Sequence, residues 1–143
     1  QGIVVAEKIA GLDPTPVDDV LVPKVTFCEP EIASVGLSEA AAKELHGEDA
    51  ITTAEFNVAG NAKSQILGTQ GFVKLVSLKD GPILGFHAIG ARMGEQVGEG
   101  QLMVSWEADA DDVASLVHAH PTQNETLGEA AMALAGKPLH NHG

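Results

Sequence analysis

Two apolar runs decide the fold: Phe72-Val73-Lys74-Leu75-Val76-Ser77-Leu78 and Ile83-Leu84-Gly85-Phe86-His87-Ala88-Ile89, on either side of Lys79-Asp80-Gly81-Pro82. Runs rich in β-branched and aromatic residues around an Asp-Gly turn are typical of a β-hairpin. We expect these two strands to form the middle of an antiparallel sheet. His87 lies within the second strand, where a packed or solvent-facing histidine is expected rather than a ligand.

The rest of the pattern predicts an α+β fold. Further strands are expected at residues 25–28, 33–37 and 51–58. Helices are expected at residues 39–45, 90–107, 110–116 and from 123 to the stop signal at Gly136 and Pro138, with a loop or short helix at 61–67. Since most strands come first and most helices last, we expect an antiparallel sheet of four to five strands with helices packed on it.

The predicted helix at residues 90–107 has more apolar surface than one face can hold. Met93, Val97, Gln101 and Val104 lie roughly on one side, and Leu102, Met103 and Trp106 add surface beyond that stripe. Three glycines, at positions 94, 98 and 100, lower helix propensity and suggest close backbone approach to a packed neighbour. A subunit interface and a tightly packed monomer core would both explain these features.

The first 21 residues are predicted to stand apart from the main body of the chain. Residues 1–12 form an apolar helical run that begins without a cap, and Gly11 suits a helix end. Residues 12–19 contain two prolines and three aspartates, which disfavour both helix and strand. We therefore expect residues 1–21 to be a helix remnant and a linker, and residues 22–143 to form one domain.

Composition excludes several classes of partner. The chain of 143 residues has eight basic and twenty acidic residues and a formal charge of −12, which disfavours nucleic acid and anionic membrane surfaces. No apolar run of about 18 residues and no signal-peptide pattern is present, so we expect no membrane span and a cytoplasmic protein. The single cysteine, Cys28, cannot form an internal disulfide and is expected to be a small buried side chain rather than a nucleophile.

The chemistry of the chain is concentrated at residues 118–125, His-Ala-His-Pro-Thr-Gln-Asn-Glu. His120 and Glu125 are spaced so that the carboxylate can accept one imidazole N–H while the other ring nitrogen takes a proton. Thr122 and Glu125 also fit a capping box, in which both side chains only satisfy backbone N–H groups at a helix start. The spacing alone leaves both interpretations open.

This motif carries a family resemblance. Together with Leu-Gly-Glu-Ala at 127–130 and Ala-Gly-Lys-Pro-Leu at 135–139, it resembles the C-terminal end of the dihydrolipoamide dehydrogenases, a branch of the flavin disulfide oxidoreductases. The resemblance implies that His120 is the acid/base, that Glu125 orients it, and that the His120–Pro121 peptide bond is cis. It also implies that His120 and Pro121 face the FAD of a partner subunit, and His118 favours the lipoamide branch.

The same resemblance implies an interface domain that builds a homodimer, each active site using two chains. Electrons would pass from dihydrolipoamide, carried by the acyltransferase of a 2-oxoacid dehydrogenase complex, through FAD to NAD. The sequence has no Gly-x-Gly-x-x-Gly fingerprint for a dinucleotide and no cysteine pair. We therefore expect a fragment covering about the last third of such an enzyme, with residues 1–21 ending the flavin domain. Alone it would bind no FAD or NAD and be inactive.

Two other classes of function are compatible with parts of the sequence. His118, His120 and Glu125 match the spacing of a cupin metal site, to which His140 and His142 could add imidazoles. Cupins place such histidines on strands of a β-barrel, whereas Pro121 and the alanine-rich segment after it indicate a helix start, so no metal site is expected. The remaining alternative is a purely structural dimerisation or docking module.

Overall fold

A computed structural model describes residues 1–140, which form a five-stranded antiparallel sheet with helices. The strand order is β1-β2-β5-β4-β3. The predicted hairpin is β4-β5, with β5 at the centre of the sheet, so both the α+β class and the inner position of the hairpin are confirmed. The strands are β1 (Lys24–Thr26), β2 (Glu31–Gly36), β3 (Ile51–Asn57), β4 (Phe72–Leu78) and β5 (Ile83–Gly90).

The hairpin is fixed by its apolar pairs and by one close backbone approach. Leu75 of β4 lies opposite Phe86 of β5, and both side chains are fully buried. The neighbouring Gly85 admits no side chain, because a Cβ there would lie 2.1 Å from the carbonyl oxygen of Leu37. His87, on the same strand, is held by its Nε2 atom 2.9 Å from that carbonyl. Its role is structural, as expected.

Helices α4 and α6 cover the sheet. The apolar core combines inward-facing residues of the strands with Met93 of α4 and Leu127 of α6. Ser38 caps α2 by accepting a hydrogen bond from the Ala41 N–H at 3.2 Å. The helices are α1 (Gly2–Ile9), α2 (Glu39–His46), α3 (Ala62–Leu67), α4 (Met93–Ser105), α5 (Ala110–Ala114) and α6 (Glu125–Leu134), with 3₁₀ turns at Asp19–Leu21, Glu48–Ala50 and Val58–Gly60.

The buried face of α4 differs from the predicted one. Its buried residues are Met93, Gln96, Val97, Gly100 and Met103. Gln101 and Val104 are only half-buried, and the Gln101 amide donates to the Leu21 carbonyl at 3.1 Å. The helix is rotated toward Gly100 because the Phe86 ring occupies that position: a Cβ on Gly100 would lie 2.7 Å from the ring. Packing against the sheet, and not the apolar stripe in the sequence, therefore determines which face of α4 is buried.

The expected burial of Cys28 was wrong. Strand β1 ends at Thr26, and the chain then turns through a cis Glu29–Pro30 peptide bond, which leaves Cys28 exposed. The thiol donates to the Pro30 carbonyl at 3.0 Å. The β-branched and aromatic residues at 25–28 predict a strand, but they do not show that the strand ends at Thr26, before Cys28.

The N-terminal segment makes few contacts with the rest of the chain. Helix α1 has no buried residue, and it ends at Ile9 with Ala10 as its C-cap; the next residue, Gly11, has a positive φ of 77°. Within residues 1–140, none of the helices is long and apolar enough to cross a membrane. Residues 141–143, which include His142, lie outside the described residues.

Candidate functional site

The His-Pro motif lies in the segment that joins α5 to α6. The His120–Pro121 peptide bond is cis, as expected. The Thr122 hydroxyl donates to the Ala119 carbonyl at 2.6 Å and closes the turn around the histidine. Helix α6 then begins at Glu125. The turn therefore holds His120 at the surface, next to the first residue of the helix.

His120 and Glu125 form the predicted pair. Nδ1 of His120 lies 2.9 Å from Oε1 of Glu125, and the imidazole is 70% exposed while the carboxylate is 24% exposed. Because an ionised carboxylate only accepts hydrogen bonds, Nδ1 carries the hydrogen, and in the neutral form of the ring the lone pair lies on Nε2. Glu125 thus orients the ring through Nδ1, and Nε2 is accessible for proton exchange.

Glu125 also serves the backbone. Its second oxygen, Oε2, accepts the Thr122 N–H at 2.8 Å. The capping box is only half formed, since the Thr122 hydroxyl donates to Ala119 instead of accepting from α6. Burial raises the pKa of the Glu125 carboxyl, but the Thr122 N–H and His120 outweigh it, and the pKa is lowered overall. One carboxylate therefore performs both functions that the sequence left open.

His118 is bound to a residue that the sequence reasoning missed. Its Nε2 lies 2.7 Å from Oε1 of Glu99 on α4, and the second oxygen of Glu99 accepts the Asn124 amide at 2.8 Å. The hydrogen bond to Glu99 raises the pKa of His118 against the effect of burial, and the same bond lowers the pKa of Glu99. Nothing in the local sequence around Glu99 signals this contact.

A third imidazole–carboxylate pair lies beside the first. Nδ1 of His140 is 2.5 Å from Oε1 of Glu129, and the His140 backbone N–H donates to the other oxygen at 3.1 Å. Both pairs line one cavity of about 140 Å³, bordered also by Phe56. The contact folds the segment after α6 back onto that helix.

Residues 22–131 match the family model described as the pyridine nucleotide-disulphide oxidoreductase dimerisation domain. The chain belongs to this family. The match covers the whole sheet, helix α4, the His-Pro turn and the first seven residues of α6, so the expected family and the α+β interface-domain fold are confirmed. The description of the family as a dimerisation domain implies homodimer formation by its members.

Sequence similarity to individual relatives extends over nearly the whole chain. It is 43% identical to dihydrolipoyl dehydrogenase from Geobacillus stearothermophilus and 42% identical to one from Bacillus subtilis, in each case over 98% of this chain and 30% of the relative. The chain thus spans about a third of the length of these relatives.

Solved structures show the same fold. The crystal structure of LpdA from Mycobacterium tuberculosis matches with a TM-score of 0.84 and 23% identity, over 94% of this chain and 29% of that one. The flavoprotein disulfide reductase RclA from Escherichia coli matches with a TM-score of 0.80 and 20% identity, over 90% of this chain and 30% of the other. At these identities the likeness concerns the fold alone.

Family members are flavoenzymes, and we tested whether this domain has room for the flavin. Sites for small molecules usually measure about 300–1,000 Å³, whereas the cavity beside His120 measures about 140 Å³. It is too small to enclose a dinucleotide. The exposed His120 and Pro121 do fit a surface that faces a cofactor held by another chain.

The described residues do not assemble a metal site. Within residues 1–140 no group of three or more His, Cys, Asp or Glu side chains is arranged to hold a metal ion. His118 and His120 instead face different carboxylates, Glu99 and Glu125. His142, which the metal interpretation would also use, lies outside the described residues.

Proposed function

We propose that this chain is the interface domain of an NAD-dependent dihydrolipoyl dehydrogenase. In this proposal His120 and Glu125 act as an acid/base pair at the flavin and redox disulfide of the partner subunit. Residues 1–21 end the flavin domain and residues 22–143 form the interface domain. Support comes from relatives named dihydrolipoyl dehydrogenase at 42–43% identity over nearly the whole chain.

One observation carries the proposal: the imidazole of His120 is exposed and yet oriented. Glu125 holds Nδ1 at 2.9 Å, and the Thr122 N–H holds the carboxylate in turn at 2.8 Å. An exposed histidine without such support would rotate freely about its side-chain bonds. A fixed ring with a free Nε2 is the arrangement that general acid/base chemistry needs.

The proposed chemistry is thiol–disulfide exchange. A free cysteine thiol has an ordinary pKa of about 8.5, and a thiol of dihydrolipoamide must likewise lose its proton before it attacks a disulfide. Nε2 of His120 takes that proton, and the carboxylate of Glu125 stabilises the imidazolium that forms. The thiolate attacks one sulfur of the enzyme disulfide. The imidazolium returns its proton to the enzyme thiolate that this attack releases, and Nε2 then takes the proton of the second substrate thiol. The second thiolate attacks the substrate sulfur of the mixed disulfide, closes the disulfide of oxidised lipoamide and releases the second enzyme sulfur as a thiolate, which takes that proton from His120 to complete the enzyme dithiol.

The remaining parts of the reaction lie outside this chain. Cys28 is the single cysteine, so the redox disulfide must come from elsewhere in the enzyme. Bound FAD and NAD supply the route by which the two electrons leave the enzyme dithiol. Each active site then uses two chains, and the substrate is the dihydrolipoamide of an acyltransferase in a 2-oxoacid dehydrogenase complex. The isolated chain is expected to bind no FAD and to have no lipoamide activity.

The test is His120→Gln in the full-length enzyme. We expect kcat for dihydrolipoamide oxidation to fall by about 10²- to 10⁴-fold, the usual contribution of a positioned acid/base. Flavin content and melting temperature should not change, because the ring is exposed. His46→Gln is the matched control, since His46 is exposed at the end of α2. Turnover near the wild-type value in His120→Gln would leave only a structural dimerisation role for this domain.

A further inference from the structure

A carboxylate on α4 holds the His-Pro turn at both of its ends. Glu99 accepts from His118, two residues before His120, at 2.7 Å, and from Asn124, the residue before Glu125, at 2.8 Å. We infer that Glu99 and His118 are positioning residues for the proposed catalytic pair. This inference rests on the proposed function of His120.

Burial and charge make this contact firm. The side chains of His118 and Glu99 are 12% and 25% exposed, whereas the His120 imidazole is 70% exposed. Hydrogen bonds between ionised partners are short and roughly twice as strong as neutral ones, and partial burial limits their screening by salt. The anchor of the turn is therefore inside the protein, and the reactive ring is outside.

The His118 ring is also seated against α6. A Cβ on Gly128 would lie 2.8 Å from Nδ1 of His118, so the ring lies directly on the helix backbone at that glycine. The turn is thereby fixed to α4 through Glu99 and to α6 through Gly128. Among the described residues, the His120 side chain itself has one hydrogen-bond partner, Glu125. The position of Nε2 consequently depends on the turn that Glu99 holds.

A loss of this anchor should affect the chemical step more than substrate binding. A displacement of about 1 Å at a reacting group can cost up to about 10²-fold in rate even when the changed residue is remote. Glu99 is bonded to His118 and Asn124, whereas the hydrogen-bond partner of the His120 imidazole is Glu125. Removal of Glu99 should therefore lower kcat and leave the KM for dihydrolipoamide nearly unchanged.

The experiment compares Glu99→Ala and Glu99→Gln in the full-length enzyme. We expect Glu99→Ala to lower kcat by about tenfold with KM within about twofold. The amide oxygen of a glutamine can still accept from Asn124, and its NH₂ group can donate to Nε2 of His118 when the His118 ring carries its hydrogen on Nδ1. Glu99→Gln should therefore retain most of the turnover. Glu95→Ala is the matched control, because Glu95 is exposed on the same helix one turn earlier.

A second comparison separates positioning from a general loss of structure. If Glu99 acts through His120, then Glu99→Ala added to His120→Gln should lower kcat no further, since residues that act as a unit are not additive. Should Glu99→Ala fail to give folded flavoprotein, Asn124→Ala removes one of the two bonds and is read in the same way.

Three results would overturn the inference: wild-type kcat in Glu99→Ala, equal losses in the alanine and glutamine variants, or a further loss of kcat in the double variant. Failure of the proposed function is distinguishable, because it appears as wild-type turnover in His120→Gln alone.

Discussion

Among single residues, Glu125 performs two functions with its two oxygens, one toward His120 and one toward the Thr122 N–H. Replacement by glutamine separates them. In Glu125→Gln the amide oxygen can still accept from Thr122, but the partner of His120 loses its charge and its ability to stabilise an imidazolium. We predict that kcat falls by about 10- to 100-fold and that the melting temperature is preserved. This loss is part of the ~10²- to 10⁴-fold rate acceleration that a positioned acid/base contributes.

Steady-state kinetics and thermal unfolding of the full-length variant check this prediction together. Glu129→Gln is a useful comparison, because Glu129 makes the same kind of contact with His140 beside the same cavity. If turnover and melting temperature both stay at wild-type values in Glu125→Gln, the carboxylate is only a cap. A large drop in melting temperature would also contradict the prediction, since the glutamine should keep the backbone contact.

The His118–Glu99 pair should give the isolated domain a defined pH dependence. The hydrogen bond to Glu99 raises the pKa of His118 above its ordinary 6.5, so its contribution to stability is complete below that pH and is lost as pH rises through the folded pKa. The pKa of Glu99 is lowered below 4.5, so its contribution is present above 4.5 and is lost as pH falls. The pair therefore stabilises the fold most between these two values.

Urea unfolding of the wild-type chain and of His118→Gln across the pH range measures this effect. We expect the difference in free energy of unfolding to be largest between about pH 4.5 and 6.5 and to shrink toward alkaline pH. The difference between the two proteins isolates His118 from the other histidines. A difference that grows as pH rises above 7 would contradict the assigned sign.

Sequence reasoning found the site residues that lie close together in the chain and missed those that do not. His120 and Glu125 fall within eight residues, so their spacing and the helix-start signal could be interpreted together. Glu99 lies 19 residues before His118 and 25 before Asn124, on a helix whose pattern reports only its apolar face. Cys28 was misjudged because exposure depends on where β1 ends and not on residue type.

At the scale of elements, the last two of the three glycines of α4, Gly98 and Gly100, serve different purposes. A Cβ on Gly100 would lie 2.7 Å from the Phe86 ring, whereas a Cβ on Gly98 meets nothing within 4 Å. We predict that Gly98→Ala raises the free energy of unfolding by about 1 kcal/mol through helix propensity. Gly100→Ala should lower it by about 1–3 kcal/mol through overpacking.

Urea unfolding of the two variants at low protein concentration provides the measurement. The pair is matched, since both changes add one methyl group to the same helix two residues apart. Destabilisation by Gly98→Ala that deepens at higher protein concentration would contradict the prediction and indicate that another chain packs on Gly98.

The elements themselves were predictable wherever a local pattern determined them. The hairpin, the Ser38 cap and the C-terminal helix all follow from alternation, capping residues and helix-stop signals. The buried face of α4 did not, because its rotation is set by the Phe86 ring on a strand that is distant in sequence. Periodicity predicts that a helix has an apolar face, and packing partners decide which residues it contains.

For the whole molecule, the family implies a homodimer, and the exposed apolar surface predicts where the second chain binds. Leu102 on α4 is 49% exposed, and Trp106, the C-cap of that helix, is 76% exposed. Together with Leu116 they border an apolar groove of about 240 Å³. Burial of this surface is worth roughly 25 cal/mol per Å² of apolar area. We predict that the isolated chain dimerises through α4 and the groove.

Sedimentation of the wild-type chain at high micromolar concentration should therefore give a dimer, and Leu102→Asp should give a monomer, because a carboxylate would be buried without a partner. Leu45→Asp is the matched control, since Leu45 is 68% exposed on α2, away from the groove. Trp106 is the single tryptophan, so its fluorescence should shift to longer wavelength as the dimer dissociates on dilution. A wild-type monomer at that concentration would contradict the prediction, and a dimer unaffected by Leu102→Asp would place the interface on another surface.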